Sequence, residues 1–390
     1  MKQRMNLKDW WKREWGSVLL LFLAALLFLF VRGQIIEERD DTLPSGDYVE
    51  YEKGTITAIL SDSTEADEAS DGGFRGEQMM TVDVKSGQYK GETLLVYNYV
   101  GPLYGVPLKE GDGVSLIIST YSDGTHRATV YEYNRIPALI IVVALFFLAT
   151  ALVGGKTGLQ SLVGLAFTVV CLFMLLLPLL LKGAPTLPTT FFICLYIAVV
   201  SFTILGGLHR KSICAMLGTA AGTALAMCFG LFAQMIAKVD GLRISEGEPL
   251  LQLRQSGTPI GLRGLLVAGI IVSTLGAVMD VAMSISSALE EVHAANPKLG
   301  KKALFSSGMN IGRDMVGTMT NTLILAFLGS GFTLILYLYS LGLSPYQFYT
   351  SSYLALELIS SISASIGMIL AIPLTALISA VMLERRGGKA

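Results

Sequence analysis

The chain has 390 residues, 52% of them hydrophobic and 15% charged, with a formal net charge of −1. That composition fits a polytopic membrane protein rather than a large soluble enzyme, and a nearly neutral chain offers no basic stripe to nucleic acid. Cys171, Cys194, Cys214 and Cys228 all lie in apolar runs, so no disulfide framework is expected and they read as small packing residues. His126, His209 and His293 lack ligand spacing, and neither a metal site nor a cofactor is expected.

Residues 1–15 carry Lys2, Arg4, Lys8, Lys12 and Arg13, which mark a cytoplasmic amino-terminal segment. The run "GSVLLLFLAALLFLFV", 16–31, ends in "VRGQIIEERDD" instead of a small-residue cleavage site, so it reads as an uncleaved transmembrane helix rather than a signal peptide. Residues 32–134 then fall outside the cytoplasm.

Within that segment "YVEYEKGTITAIL", "QMMTVDVKS", "ETLLVYNYV", "GVSLIIST" and "THRATVYEYN" are short, rich in β-branched and aromatic residues, and separated by Gly, Asp and Ser. They predict a small all-β domain of about five strands. An OB-like barrel suits the spacing, and a sandwich remains the alternative. The acidic stretch "SDSTEADEASDGG" reads as a solvated, disordered loop.

Residues 135–390 predict a seven-helix transmembrane domain. Its apolar runs lie at about 136–154, 158–181, 188–208, 212–236, 265–289, 309–342 and 353–383, each long enough for a hydrocarbon core of about 30 Å. Counting 16–31, the expected fold class is an α-helical polytopic membrane protein of about eight transmembrane helices, with the β-domain between helices one and two. Alternate assignment puts "GGK", "HRK", "HAANPKLGKK" and "ERRGGKA" inside, and all are basic. The 238–264 loop falls outside despite Lys238, Arg243, Arg254 and Arg263, and is expected to form an amphipathic surface segment.

The sixth run is the informative one. Ser273, Gly276, Asp280, Ser284, Ser287 and Glu291 recur at three- and four-residue intervals and share a helical face. A carboxylate at mid-span costs about 2.5–3.5 kcal/mol on the lenient insertion scale, so Asp280 is expected to face other helices or a watery cavity. The seventh run offers Asn310, Asp314, Gly317, Thr318 and Asn321 at matching spacing, with Asn321 near the depth of Asp280. Arg313 and Asp314 sit near the inner boundary as an interfacial ion pair or as part of a relay. The eighth adds Glu357, Ser361 and Ser365, read first as packing residues, with Glu357 toward the outer interface. The proton-relay or ion-coupling candidates are therefore Asp280, Asn321, Thr318, Asp314 and Arg313. Gly276, Ser284, Gly317, Glu357 and Ser361 are helix-packing or secondary polar positions.

Through "GAVMDVAMSISSALEEV" and "SSGMNIGRDMVGTMTNTLILAFLG" the chain resembles bacterial YibE/F family membrane proteins over nearly its whole length. The same helices resemble, more distantly, the SecD/SecF branch of the RND superfamily. That second resemblance implies that Asp280 matches a proton-relay aspartate, with Thr318, Thr320 and Asn321 on the opposite face, and implies a homodimer or a paralogous membrane partner. The chain departs from it: no basic residues follow the aspartate in "SISSALEEV", and the outside domain is small.

Two function classes follow. One is a transporter or transport-accessory protein in the bacterial cell membrane, coupled to protons through Asp280, both termini cytoplasmic, with the lipid bilayer as its surround and its substrate unnamed. The other is a non-transporting envelope scaffold whose β-domain binds a partner. Enzymatic function is not expected, because no lysine lies near the serines of the last three helices to activate them.

Overall fold

The computed structural model describes residues 7–35, 48–121, 125–239 and 247–384. The ends of the expected inner segments, 1–6 and 385–390, and part of the 238–264 loop lie outside those residues. The chain divides into two compact units, one of residues 37–149 and one of residues 1–36 with 150–390.

A long helix, α1 (Leu7–Ile35), begins the chain, and its apolar stretch runs Gly16–Gln34, slightly past the expected end. Six strands follow: β1 (Tyr48–Asp62), β2 (Glu65–Asp67), β3 (Gly73–Val84), β4 (Thr93–Val100), β5 (Gly113–Thr120) and β6 (His126–Tyr133). Alternation explains them. Val114, Leu116 and Ile118 on β5 are at most 1% exposed, while their neighbours face outward. The ladder runs β1, β5, β6, β4, β3 and returns to β1, so five strands close a barrel and the sandwich alternative is set aside. All pairings are antiparallel except β4 with β6.

Ile56, Met80, Val82, Val96, Leu116 and Ile118 fill the barrel. Two buried amides sit among them. Gln78 accepts from Leu108 N at 2.9 Å and from Asn98 Nδ2 at 3.0 Å, and donates to Asp62 and to the Leu108 carbonyl. Asn98 also donates to Val106 O at 3.0 Å, so this network pins the 101–112 segment to the barrel wall.

The acidic stretch is not the disordered loop its composition suggested. It forms a short hairpin, β2 paired with the start of β3, held by Arg75 against Asp67 at 3.0 Å and turned at Asp71, whose φ is 48°. Charge set the expectation, but the local ion pair and the turn decide the structure.

The helical elements are α2 (Ile136–Cys171), a π-helical turn Leu172–Leu176, α3 (Leu177–Leu181), α4 (Thr186–Gly206), α5 (Arg210–Ala237), α6 (Gly247–Gln255), α7 (Leu265–Ala295), α8 (Lys301–Ser330), α9 (Phe332–Ser340), α10 (Pro345–Tyr349) and α11 (Ser352–Glu384). The 238–264 loop thus supplies α6. Among the described residues, six helical stretches are long and apolar enough to cross a membrane, or seven if the pair α8 and α9, bent by 59°, is one span. Eight runs were expected, and the difference lies at 136–181, where two anticipated segments form one continuous stretch of 46 residues.

Gly155 interrupts that stretch with φ 53° and ψ −133°, a conformation glycine adopts without steric cost. A Cβ placed on Gly158 would collide with the Thr150 carbonyl oxygen. In a straight helix, positions so far apart would be separated by about 12 Å. The chain therefore reverses at "GGKTG", giving segments close to the two anticipated.

In this unit α5, α7 and α11 pack mutually, with α4 on one side and α8 on another. Small residues permit the closest crossing. A Cβ on Gly222 of α5 would sit 2.6 Å from Ala371 Cβ of α11, and one on Gly367 would strike Ala226. Cys171, Cys194 and Cys214 are buried in this packing, whereas Cys228 is exposed.

Candidate functional site

Helix α7 is built from two faces. Val267, Ile271, Thr274, Val278, Val281, Ile285 and Leu289 are buried against α5, α11 and their neighbours. Ser273, Gly276, Asp280, Ser284 and Glu291, on the opposite side of the helix at 100° per residue, are exposed. A Cβ on Gly269 or Gly276 would meet nothing within 4 Å, so neighbouring helices leave space at both levels, and at Gly269 the face borders a cavity that Phe327 and Ser330 of α8 also line.

Asp280 lies at its centre. No described residue gives its carboxylate a hydrogen bond or an ion pair. The expectation was a face toward other helices or a watery cavity; in the single chain apolar residues take the packed side of α7 and the polar stripe lies on the other.

Helix α8 presents its polar residues in the same way. Asn310, Arg313, Asp314, Gly317, Thr318 and Asn321 are all exposed, while Leu304, Gly308 and Gly312 are buried, the glycines against Ala376 and Ile372 of α11. A Cβ on Gly308 would lie 3.0 Å from Leu289 Cδ1, which fixes the relative level of α7 and α8. Nine residues from that contact, about 13–14 Å along each helix, stand Asp280 and Gly317. Thr318 is beside that level, and Asn321 is about one turn further from the 296–300 connection. Arg313 is at the level of Ser284.

The expected Arg313–Asp314 interfacial pair does not form an ion pair among the described residues. Thr318 donates to Met315 O at 3.2 Å, so its hydroxyl is satisfied within its own helix. Thr320 differs, being partly buried with a hydroxyl that has no partner. Ser361 is 2% exposed and donates to Leu358 O at 3.1 Å, a packing role.

Glu357 is half-buried where α8 breaks into α9. A Cβ on Gly331 would approach its carboxyl carbon to 3.0 Å, and the carboxylate borders a cavity of about 450 Å³ that Ser330, Tyr353 and Ser360 also line. The break itself follows from "GSG", 329–331, because two glycines so close together weaken a helix.

One group of residues was not singled out in the sequence. At the α5–α11 crossing, Thr219, Thr223, Ser363, Thr375 and Ser379 are buried with unpartnered hydroxyls. The signal was present in "GTAAGT", where Gly218 and Gly222 are four apart, a spacing that lets helix backbones approach.

A family model described as YibE/F-like protein matches residues 142–385, from within α2 to just past the end of α11, leaving the barrel outside the match. No curated protein and no solved structure matches the chain. The comparisons lend no support to the SecD/SecF resemblance. The match covers more than half of the chain, which therefore belongs to the YibE/F-like family.

Proposed function

We propose that this protein is a multi-pass membrane protein of the bacterial cell membrane that transports, or assists transport, by coupling to protons at Asp280. The apolar surfaces of the long helices support the membrane setting. Leu139, Leu145, Phe146, Val153, Phe173 and Phe192 are each at least 50% exposed, an apolar surface too extensive for water. The stretch of 46 residues would be about 69 Å long if straight, twice the hydrocarbon core, and its reversal at Gly155 makes it two spans. With α8 and α9 as one span the total is eight, both termini are cytoplasmic and the barrel is extracytoplasmic. A seven-span count would move the basic "ERRGGKA" end outside, against the positive-inside rule.

Against that apolar exterior, the polar face of α7 is the single observation that carries the reading. In lipid, an uncovered carboxylate is costly, so the face meets a water-filled path or another protein surface, with a second copy of the chain or a paralogue as the partner. Asp280 takes and releases the proton, with Thr318 of α8 beside its level and Asn321 about one turn beyond, polar groups that do not fix its charge. Proton flux in inside-out vesicles tests this. Asp280→Asn keeps the volume and removes the charge change, and is expected to abolish flux at unchanged membrane insertion. Flux equal to wild type overturns the relay.

A second reading has its own observation. The barrel exposes Tyr51, Tyr99, Tyr104 and Tyr131 together with Leu103, 97% exposed, a composition suited to binding an envelope partner. Its five-stranded order is of the OB kind, a fold used for binding. On this scaffold reading the barrel keeps its activity on a single foreign membrane helix.

A further inference from the structure

A cluster of positive charge lies away from α7. A cavity of about 750 Å³ is bounded by α1, the segment after the Gly155 reversal, the end of α4 and the start of α5. Lys156, Gln160, His209 and Lys211 line its polar part, and Leu21, Leu159 and Val163 are among its apolar lining. Lys156 follows the reversal and Lys211 stands in the first turn of α5, so two basic segments far apart in sequence meet at one opening.

Neither lysine has an ion-pair partner among the described residues, although Lys211 is half-buried. Gln160 has no hydrogen bond there either. Among the described residues, no aspartate or glutamate lines the cavity. The N-cap of α5, His209, gives no side-chain cap, so the first-turn N–H groups add positive partial charge. Ser212, in that turn, is 0% exposed with an unpartnered hydroxyl, 2.7 Å from where a Cβ on the cavity residue Gly206 would sit.

We propose that this cavity binds the phosphate headgroup of an anionic phospholipid, with an acyl chain lying along Leu21, Leu159 and Val163. Unpaired positive charge at one part of a pocket and aliphatic side chains at another fit an amphiphile. The inference rests on the membrane reading above, in which Lys156 and Lys211 lie at the inner boundary, where the leaflet supplies anionic headgroups. A free phosphate would meet the same lysines but gain nothing from the apolar lining.

The test uses the full chain in neutral detergent, titrated with phosphatidylglycerol, phosphatidylcholine or inorganic phosphate, with retained lipid counted by native mass spectrometry. Phosphatidylglycerol is expected to bind in preference to phosphatidylcholine, and inorganic phosphate to compete poorly. Lys156→Gln with Lys211→Gln is expected to weaken it about tenfold or more, while Lys156→Arg with Lys211→Arg retains binding. Lys298→Gln with Lys302→Gln removes the same charge from another exposed basic segment and is expected to change nothing. Equal losses in both glutamine pairs, equal binding of the two lipids, or displacement by phosphate at matched concentration each overturn the proposal. Failure of the membrane reading is separately visible as a chain that does not fractionate with membranes.

Discussion

The buried amides of the barrel and the buried hydroxyls of the α5–α11 crossing are treated in opposite ways. In the barrel, Gln78 and Asn98 are 1% and 2% exposed, and each finds partners on strands and on the 101–112 segment. In the helical unit, Thr219, Thr223, Ser363, Thr375 and Ser379 are equally buried and have none, while the Asp280 carboxylate is outward and unpaired. A satisfied network fixes one structure. Unspent hydrogen-bonding capacity between helices leaves room for other arrangements, as the transport proposal requires, whereas the amide network holds the barrel segment in one.

Substitutions at matched depth sharpen that contrast, read by hydrogen exchange in the full-length protein. The largest effect is expected from Gly222→Leu, because a side chain there has Ala371 Cβ at 2.6 Å and Val278 Cγ1 at 2.8 Å. Overpacking of this kind costs ~3 kcal/mol or more, and protection of α5, α7 and α11 is expected to collapse while the barrel strands stay protected. Barrel strands that lose protection together with the helices would mean the units are not independent.

Next comes Gln78→Leu, which strands the Leu108 N–H and an Asn98 donor and is expected to cost about 2 kcal/mol in the exchange of β3 and β4. Its counterpart, Thr375→Val, removes a hydroxyl that has no partner and is expected to shift α11 exchange by less than ~0.5 kcal/mol. If Thr375→Val proves as costly as Gln78→Leu, the two units do not differ as described.

The smallest effect concerns Glu50 at the start of β1. Burial, and then the negative charge of Glu52, hold its carboxyl above the usual range. A raised folded-state value means its contribution to stability is present below the ordinary carboxylate range and lost as pH rises through the folded value. Glu50→Gln is expected to raise barrel stability slightly at neutral pH and flatten its dependence as pH rises above the ordinary carboxylate range. An unchanged pH profile removes Glu50 from that role.

The strands were legible because period-two alternation in "GVSLIIST" and its relatives is a local signal, and the runs fell close to the observed strands except that β3 starts five residues before its run, at Gly73. Ring closure through a parallel β4–β6 pairing is not local, so the spacing favoured an OB-like barrel without excluding a sandwich, and the pairing decides between them. The acidic hairpin was missed because composition outweighed a single pairing, Asp67 with Arg75.

On α7 the three-four spacing of Ser273, Gly276, Asp280 and Ser284 correctly gave one shared face. Which way that face points was not legible, since a helix with a polar and an apolar side packs equally well in either orientation until its neighbours are known. Its neighbours α5 and α11 carry Ala226, Ala371 and Met368, which match the apolar side. The hydroxyls of the α5–α11 crossing were missed because isolated serines and threonines in apolar runs carry little signal beside a carboxylate.

The claim that the polar face of α7 meets water or protein, not lipid, has a direct test. Ser284→Cys, one turn from Asp280, is made with Cys228→Ser, since the other three cysteines are buried. It is compared in membranes with Leu145→Cys or Val169→Cys in the same background, mid-segment positions on the apolar exterior. The account predicts that Cys at 284 reacts with a small water-soluble thiol reagent or cross-links to a second chain, while the exterior positions do neither. Silence at 284 equal to that at the exterior positions would place the face of Asp280 in lipid and contradict the account.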